Sequence, residues 1–226
     1  MNQDELFAVL PDNKLAFEQQ ASRRGYRLIA GVDEAGRGPL AGPVVAAAVI
    51  LPEGLYIDGV NDSKKLSPNT RERLFDVIMS QALSVGIGIG SPELIDRINI
   101  LQATRHAMLA AVQQLSPLPD YLLIDGITTI ESHIPQKTLI KGDALSLSIA
   151  AASIIAKVSR DRLMRNLDVQ HPGYGFAAHK GYGCSSHMEA IQRLGPTAVH
   201  RLTFRGVKEH VPHPPIQFLF LRDERI

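Results

Sequence analysis

Residues 29–43 read IAGVDEAGRGPLAGP, an apolar stretch that runs into two adjacent acids and then into a glycine-rich turn. Leu28, Ile29, Ala30 and Val32 favour an extended backbone as far as Asp33. Neighbours on a strand point to opposite faces, so Asp33 and Glu34 serve one site only if the strand ends there. Gly36 and Gly38 supply such an ending, because glycine accepts the geometry of tight turns and lets another molecule approach bare backbone. Arg37, between them, is cationic at any working pH and shaped to fork onto a phosphate. Two carboxylates at the end of an apolar run are costly unless their charge is offset, and the usual partner is a cation. Taken alone, a DE dipeptide is better read as a solvated strand end.

Outward from this stretch, residues 44–51 (VVAAAVIL) form a continuous apolar run, the pattern of a strand covered on both faces, and Gly42 and Pro43 turn the chain into it. An antiparallel pair is therefore expected. Ser67 as N-cap, Pro68 at the first helical position and apolar Leu74, Phe75, Ile78 and Met79 predict a helix to about Ala82. VGIGIG at 85–90 has no third glycine at dinucleotide spacing and no acid about twenty residues on, so it reads as a glycine-bearing strand. Ser91 and Pro92 open another helix, with a longer amphipathic one over about 100–115. Residues 121–124 (YLLI) then form a strand that ends in Asp125 and Gly126, repeating the arrangement at Asp33, and such strand ends collect ligands in open α/β sheets. A short strand at 138–140 leads through Lys141, Gly142 and Asp143 to an alanine-rich helix over 145–167.

The full string DEAGRGPLAGP at 33–43 resembles ribonuclease HII, the type 2 ribonuclease H family. DSKKL at 62–66, KGD at 141–143 followed by AAASIIAKV, VSRD at 158–161, KGYG at 180–183 and HRLTF at 200–204 are similar to further strings of that family. The resemblance covers about 27–206. It implies an α/β, ribonuclease H-like fold: a mixed five-stranded sheet flanked by helices, with a helical C-terminal portion closing over the substrate. It also divides the chain into an N-terminal helical extension (1–26), a catalytic domain (27–206) and a proline-rich tail (207–226).

By the same resemblance Asp125 is the third carboxylate beside Asp33 and Glu34, and Asp143 the fourth. Asp143 also reads as the N-cap of the alanine-rich helix, and one carboxylate can serve both purposes. Asp161 is a rival. It lies about 27 Å along a helix from Asp143 at 1.5 Å per residue, whereas paired catalytic metals sit about 4 Å apart. It is better explained as an i,i+4 partner of Lys157 and Arg165. Hard, all-oxygen ligands suit Mg2+ or Mn2+ rather than zinc.

The implied activity is a metal-dependent endonuclease, hydrolysing the RNA strand of RNA/DNA hybrids and cutting at ribonucleotides embedded in duplex DNA, to leave 3′-hydroxyl and 5′-phosphate ends. Selectivity is expected from the 2′-hydroxyl, read by the backbone of Gly36, Arg37 and Gly38. The ring of Tyr182 would pack against the nucleotide beside the cut. Lys64 and Lys65 read either as backbone contacts or as a solvated basic turn. His179 and His187 read as local hydrogen-bonding groups rather than ligands. Cys184 stands where most relatives have threonine. Another nuclease of the same fold, a resolvase or an exonuclease, and a non-catalytic hybrid-binding protein are the competing readings.

The net charge of +1 over 226 residues places any nucleic-acid affinity in local clusters: Lys64 with Lys65, Arg71 with Arg73, the run 157–165, and His179 with Lys180. The lone Cys184 excludes an internal disulfide and any cysteine-based zinc site. No apolar run approaches a membrane span and the first residues show no signal-peptide pattern, so a cytoplasmic location without a membrane contact is expected; the chain is separately expected to be a monomer. Beyond the prolines of the tail, Gln217, Phe218, Leu219, Phe220 and Leu221 read either as a segment folded onto the core or as a docking peptide for a sliding clamp.

Overall fold

Apolar runs buried on both faces build a central sheet, and amphipathic or small-residue helices cover it. The computed structural model describes residues 13–60, 63 and 66–211. The elements in chain order are α1 (Ala16–Arg23), β1 (Ile29–Ala35), β2 (Val44–Ile50), α2 (Pro68–Gln81), β3 (Ser84–Gly90), α3 (Pro92–Gln113), β4 (Tyr121–Asp125), β5 (Gln136–Leu139), α4 (Gly142–Leu145), α5 (Leu147–Gln170), α6 (Phe176–His179) and α7 (Ser185–Leu194). The sheet order is β3-β2-β1-β4-β5. β1 is antiparallel to β2 and parallel to β4, so the sheet is mixed, as the sequence implies. All seven residues of β2 are buried, which is why its sequence shows no polar alternation. No helix among the described residues is long and apolar enough to cross a membrane.

Each face of the sheet has its own core. On one, α3 packs Ala103, Ala107, Met108, Ala111 and Val112 against Ala30, Val32, Ala46, Ala48 and Leu122. The glycines of VGIGIG belong to this layer: a Cβ on Gly88 would lie 1.9 Å from the Ala107 carbonyl oxygen, and one on Gly86 would lie 2.0 Å from that of Ala111. They let a helix lie directly on the strand rather than cradle a phosphate. On the other face, the alanine-rich stripe of α5 (Ala150, Ala151, Ala152, Ala156) packs on Ala47 and Val49 with Leu74 and Ile78 of α2.

Serine caps set the helix starts. Ser67 Oγ accepts from Thr70 N and Ser91 Oγ from Leu94 N, each at 3.1 Å and each followed by the expected proline. A cap of this kind is worth about 1 kcal/mol. The expected pair of helices after Ser91 is one element with a kink at Asn99 (φ 67°, ψ 165°), whose side chain accepts from Gln102 N and restarts the helix.

Two expectations are corrected here. The strand β1 does not end at Asp33; it pairs with β2 through Ala35↔Val45, because Ala35 still finds a buried partner. The N-cap of α5 is Ser146, which accepts from Ile149 N at 3.2 Å, while Asp143 sits inside the separate short helix α4. The α1 segment, given no role from sequence, clamps this start: Glu18 Oε1 accepts from Ser146 Oγ (2.6 Å), Ser148 Oγ (2.7 Å) and Ser148 N (3.0 Å).

Candidate active site

Parallel pairing of β1 with β4 aligns Val32 with Ile124, so Asp33 and Asp125 follow side by side at the carboxyl ends of adjacent strands. The Asp125 Oδ1 accepts the N–H of Gly142 at 2.6 Å, which brings α4, and with it Asp143, to the same edge. Strand alternation sends Glu34 to the face opposite Asp33, yet both line one cleft, because β1 stops one residue beyond Glu34. Chain segments about ninety residues apart thus meet at one strand end.

The electrostatics follow from that crowding. Burial raises the pKa of Asp33 well above the ordinary carboxylate value, and the negative charges of Glu34, Asp125 and Asp143 push it further up. The N–H of Glu34, donated to Asp33 Oδ1 at 2.7 Å, opposes this only in part. Among the described residues, no group of three or more His, Cys, Asp or Glu side chains is arranged to hold a metal ion as it stands. The donor set nevertheless fits a hard divalent cation: it is all oxygen, and the charge that lifts Asp33 is the charge such a cation would neutralise.

The cleft holding Asp33 and Glu34 has a volume of about 220 Å³ and is also lined by Gly36, Arg37, Gly38, Ser63, Ser153, Lys157 and Tyr182. The turn at Gly36 has φ +96°, and a Cβ there would lie 1.9 Å from Arg160 Nε, so only glycine fits. Arg37 is half exposed, 3.4 Å from Glu34 Oε1. The Tyr182 ring, 48% exposed, stands beside Gly38. Ser63 Oγ accepts from Ser153 Oγ of α5 at 2.7 Å, tying the DSKKL stretch to the cleft, while Lys64 and Lys65 lie outside the described residues. A different pocket, lined by Leu15, Glu18, Ile29, Leu51 and Pro52, sits at the opposite end of β1, remote from the acids.

Two residues that sequence reasoning overlooked as parts of the site hold the loops in place. Arg160 is buried and donates to the carbonyl oxygens of Pro43 (2.9 Å), Lys180 (2.9 Å) and Ala41 (3.1 Å). Arg201 is buried and donates to those of Gly36 (2.5 Å), Arg37 (2.7 Å) and Gly42 (3.0 and 3.1 Å). Burial lowers the guanidinium pKa to about 10 for Arg160 and about 9 for Arg201, so both stay charged at neutral pH. Backbone bonds complete the weave: Leu40 N donates to Gly181 O, Arg201 N to Leu40 O, and Gly42 N to Val199 O. The signal for Arg160 was its position on the apolar stripe of α5, four residues from both Ala156 and Met164.

The basic run 157–165, expected as a cationic patch, is partly engaged within the fold. Lys157 pairs with Asp161 at 2.7 Å, as expected, but Arg165 pairs with Glu72 of α2 and not with Asp161. Arg162 binds the same Glu72, and the Lys180 ammonium donates to the Ala177 carbonyl. His179 and His187 make local hydrogen bonds, as expected.

Residues 30–207 match the family described as Ribonuclease HII. The chain is 72% identical over 214 residues to the ribonuclease HII of Pelobacter propionicus, an alignment covering 95% of this chain and 98% of that one. Among solved structures, the ribonuclease H2 of Pyrococcus horikoshii superposes with a TM-score of 0.68 at 27% identity, covering 80% of this chain and 95% of the other. The ribonuclease HII of Archaeoglobus fulgidus, solved in complex with PCNA, superposes with a TM-score of 0.67 at 25% identity, covering 84% and 99%. With an acid-lined cleft at the end of β1 and family similarity over most of its length, the chain belongs to the ribonuclease HII family, ribonuclease H-type endonucleases that depend on a divalent metal.

Proposed function

We propose that Asp33, Glu34, Asp125 and Asp143 together hold two divalent cations, Mg2+ or Mn2+, and that the enzyme cuts the RNA strand of RNA/DNA hybrids and the backbone at ribonucleotides embedded in duplex DNA. The observation that carries this reading is geometric: β1–β4 pairing sets buried Asp33 beside Asp125, and Asp125 Oδ1 takes the Gly142 N–H at 2.6 Å, so that the charges of Glu34, Asp125 and Asp143 add to burial in raising the Asp33 pKa. Such a grouping costs stability without a cation and so needs a functional reason. When bound, the cations would activate the attacking water and stabilise the leaving 3′-oxygen, giving 3′-hydroxyl and 5′-phosphate ends.

The remaining work falls to the loops. The Gly36, Arg37 and Gly38 backbone, held from behind by Arg201, presents its N–H groups towards the 2′-hydroxyl, the group that separates RNA from DNA. Tyr182 stacks on the adjoining nucleotide, its ring lying beside Gly38 at the mouth of the cleft. Arg37 and, in the segment outside the described residues, Lys64 and Lys65 contact the phosphates.

Such an activity belongs to ribonucleotide removal during DNA replication and repair in the cytoplasm, whose reducing conditions suit the exposed thiol of Cys184. We take the working unit to be a monomer with an N-terminal extension (1–26), a catalytic domain (27–206) and a tail (207–226). Since the Archaeoglobus protein was solved with PCNA, we assign a clamp contact to Gln217–Leu221, also outside the described residues. A pull-down in which deleting 211–226 leaves clamp binding unchanged removes that assignment.

One gel tests the main reading: a duplex with a single embedded ribonucleotide, a continuous hybrid and an all-DNA duplex, each incubated with Mg2+, Mn2+ or a chelator. Cleavage of the first two only, and only with metal, is expected. Cutting of the all-DNA duplex, or cutting in chelator, overturns it.

A further inference from the structure

The KGYG loop is gripped by three imidazoles that the reaction does not use. Thr197 N donates to His200 Nδ1 at 3.0 Å, which puts the His200 proton on Nε2. The His200 Nε2 then donates to His187 Nε2 at 3.2 Å, so the His187 proton lies on Nδ1 and is donated to the Tyr182 carbonyl at 2.9 Å. One peptide N–H thereby sets the tautomer of two buried rings in series. On the other side of the loop, Gly181 N donates to His179 Nδ1 at 3.1 Å, and His179 Nε2 donates to Tyr174 O at 2.7 Å. His179 stacks on His187 with centroids 4.4 Å apart, and Phe176 sets its edge against both.

We propose that His187 and His200 are positioning residues for substrate discrimination: a two-imidazole relay, anchored at Thr197, that holds the Tyr182 carbonyl and thereby fixes the ring at the mouth of the cleft. The inference rests on the stacking role given to Tyr182 above. The relay works only while both rings are neutral, since a second proton on either places two N–H groups head to head. Burial keeps them neutral by lowering both pKa values, that of His200 to about 4. The titratable groups acting on the pair are His179 from α6 and His171 at the end of α5, each opposing a positive charge; no carboxylate is among them.

The test combines the full-length enzyme with a control. Imidazole nitrogen NMR should show His187 as the Nδ1–H tautomer and His200 as Nε2–H at neutral pH; the opposite tautomer on His187 overturns the relay however any variant folds. In kinetics, His187→Leu should lower kcat/KM at a single embedded ribonucleotide by ~10-fold, mainly through KM, with a smaller loss on a continuous hybrid. His187→Asn, whose amide can still donate to the Tyr182 carbonyl, should restore most of it. If Tyr182→Ala lowers the embedded-to-continuous ratio and His187→Leu leaves it unchanged, the relay falls alone. If Tyr182→Ala itself leaves the ratio unchanged, the stacking role falls and the inference with it.

Discussion

Arg201 donates from its buried guanidinium to the carbonyl oxygen of Arg37 at 2.7 Å, so the two arginines stand on opposite sides of the same turn, one holding its backbone and one facing the cleft. The turn also gives Arg201 the carbonyls of Gly36 and Gly42. A carbonyl held inward leaves its peptide N–H directed away, which is the geometry needed to read a hydroxyl from bare backbone.

Replacing Arg201 with lysine should therefore damage more than charge. An ammonium has one centre and cannot fork to three carbonyls. With several buried acceptors orphaned, Arg201→Lys should lose at least ~2 kcal/mol, or about 4–8 °C in Tm, and relax the preference for ribose over deoxyribose. Thermal melts beside cleavage of matched ribonucleotide and all-DNA duplexes check it.

Asp33→Asn should stabilise the metal-free protein while abolishing cleavage. Because the folded-state pKa of Asp33 is raised, its contribution to stability is lost as pH rises through that value. At neutral pH the unfolded chain carries this group ionised while the buried acid cluster resists its charge, so the carboxyl works against folding and the amide removes that penalty. A gain of ~1 kcal/mol or more, about 2–4 °C in Tm, is expected in chelator, together with loss of the rise in Tm that Mg2+ should give the parent.

Tyr182→Ala should reduce cleavage at an isolated ribonucleotide by roughly 5-fold or more, since base stacking on an aromatic ring is worth about 1–3 kcal/mol. Tyr182→Phe should keep most of the activity if the ring face, and not the hydroxyl, makes the contact. Steady-state kinetics on the two variants separate these contributions.

The histidine pair predicts an acid limb in stability. Both pKa values are lowered on folding, so above ~6.5 neither state binds the extra proton and their contribution is constant. As pH falls from there towards about 4, the value for His200, the unfolded chain takes up protons that the folded chain refuses. Stability then drops by up to roughly 1.4 kcal/mol per pH unit on account of His200, with His187 adding in the same direction. Asp33 acts in the opposite sense, so the comparison to make is Tm against pH for the parent and for His200→Asn, whose acid limb should be shallower.

The local sequence determined most of what is local. Ser67-Pro68 and Ser91-Pro92 announce helix starts because a serine oxygen and a proline ring act within one turn of chain. Residues 44–50 announce a two-sided strand because burial on both faces leaves no polar position. The acid-then-glycine pattern marked the carboxyl-end regions of two strands, around Asp33 in β1 and Asp125 in β4, and the DEAGRG, KGD and KGYG strings carried the family. The sequence misled where its signal was ambiguous at short range. Asp143 has the look of a helix cap, but the chain breaks at Ser146, which does the capping.

Only the tertiary structure decided which groups meet. The adjacency of Asp33 and Asp125 follows from the parallel register of β1 and β4, a pairing between distant segments that no local pattern encodes. The basic run 157–165 looked like a nucleic-acid surface, yet α2 brings Glu72 against Arg162 and Arg165, and burial turns Arg160 inward to backbone carbonyls. The reason is the same in each case: charge and hydrogen-bonding capacity are written along the chain, but whether they face water, a cation or another part of the protein is set by packing.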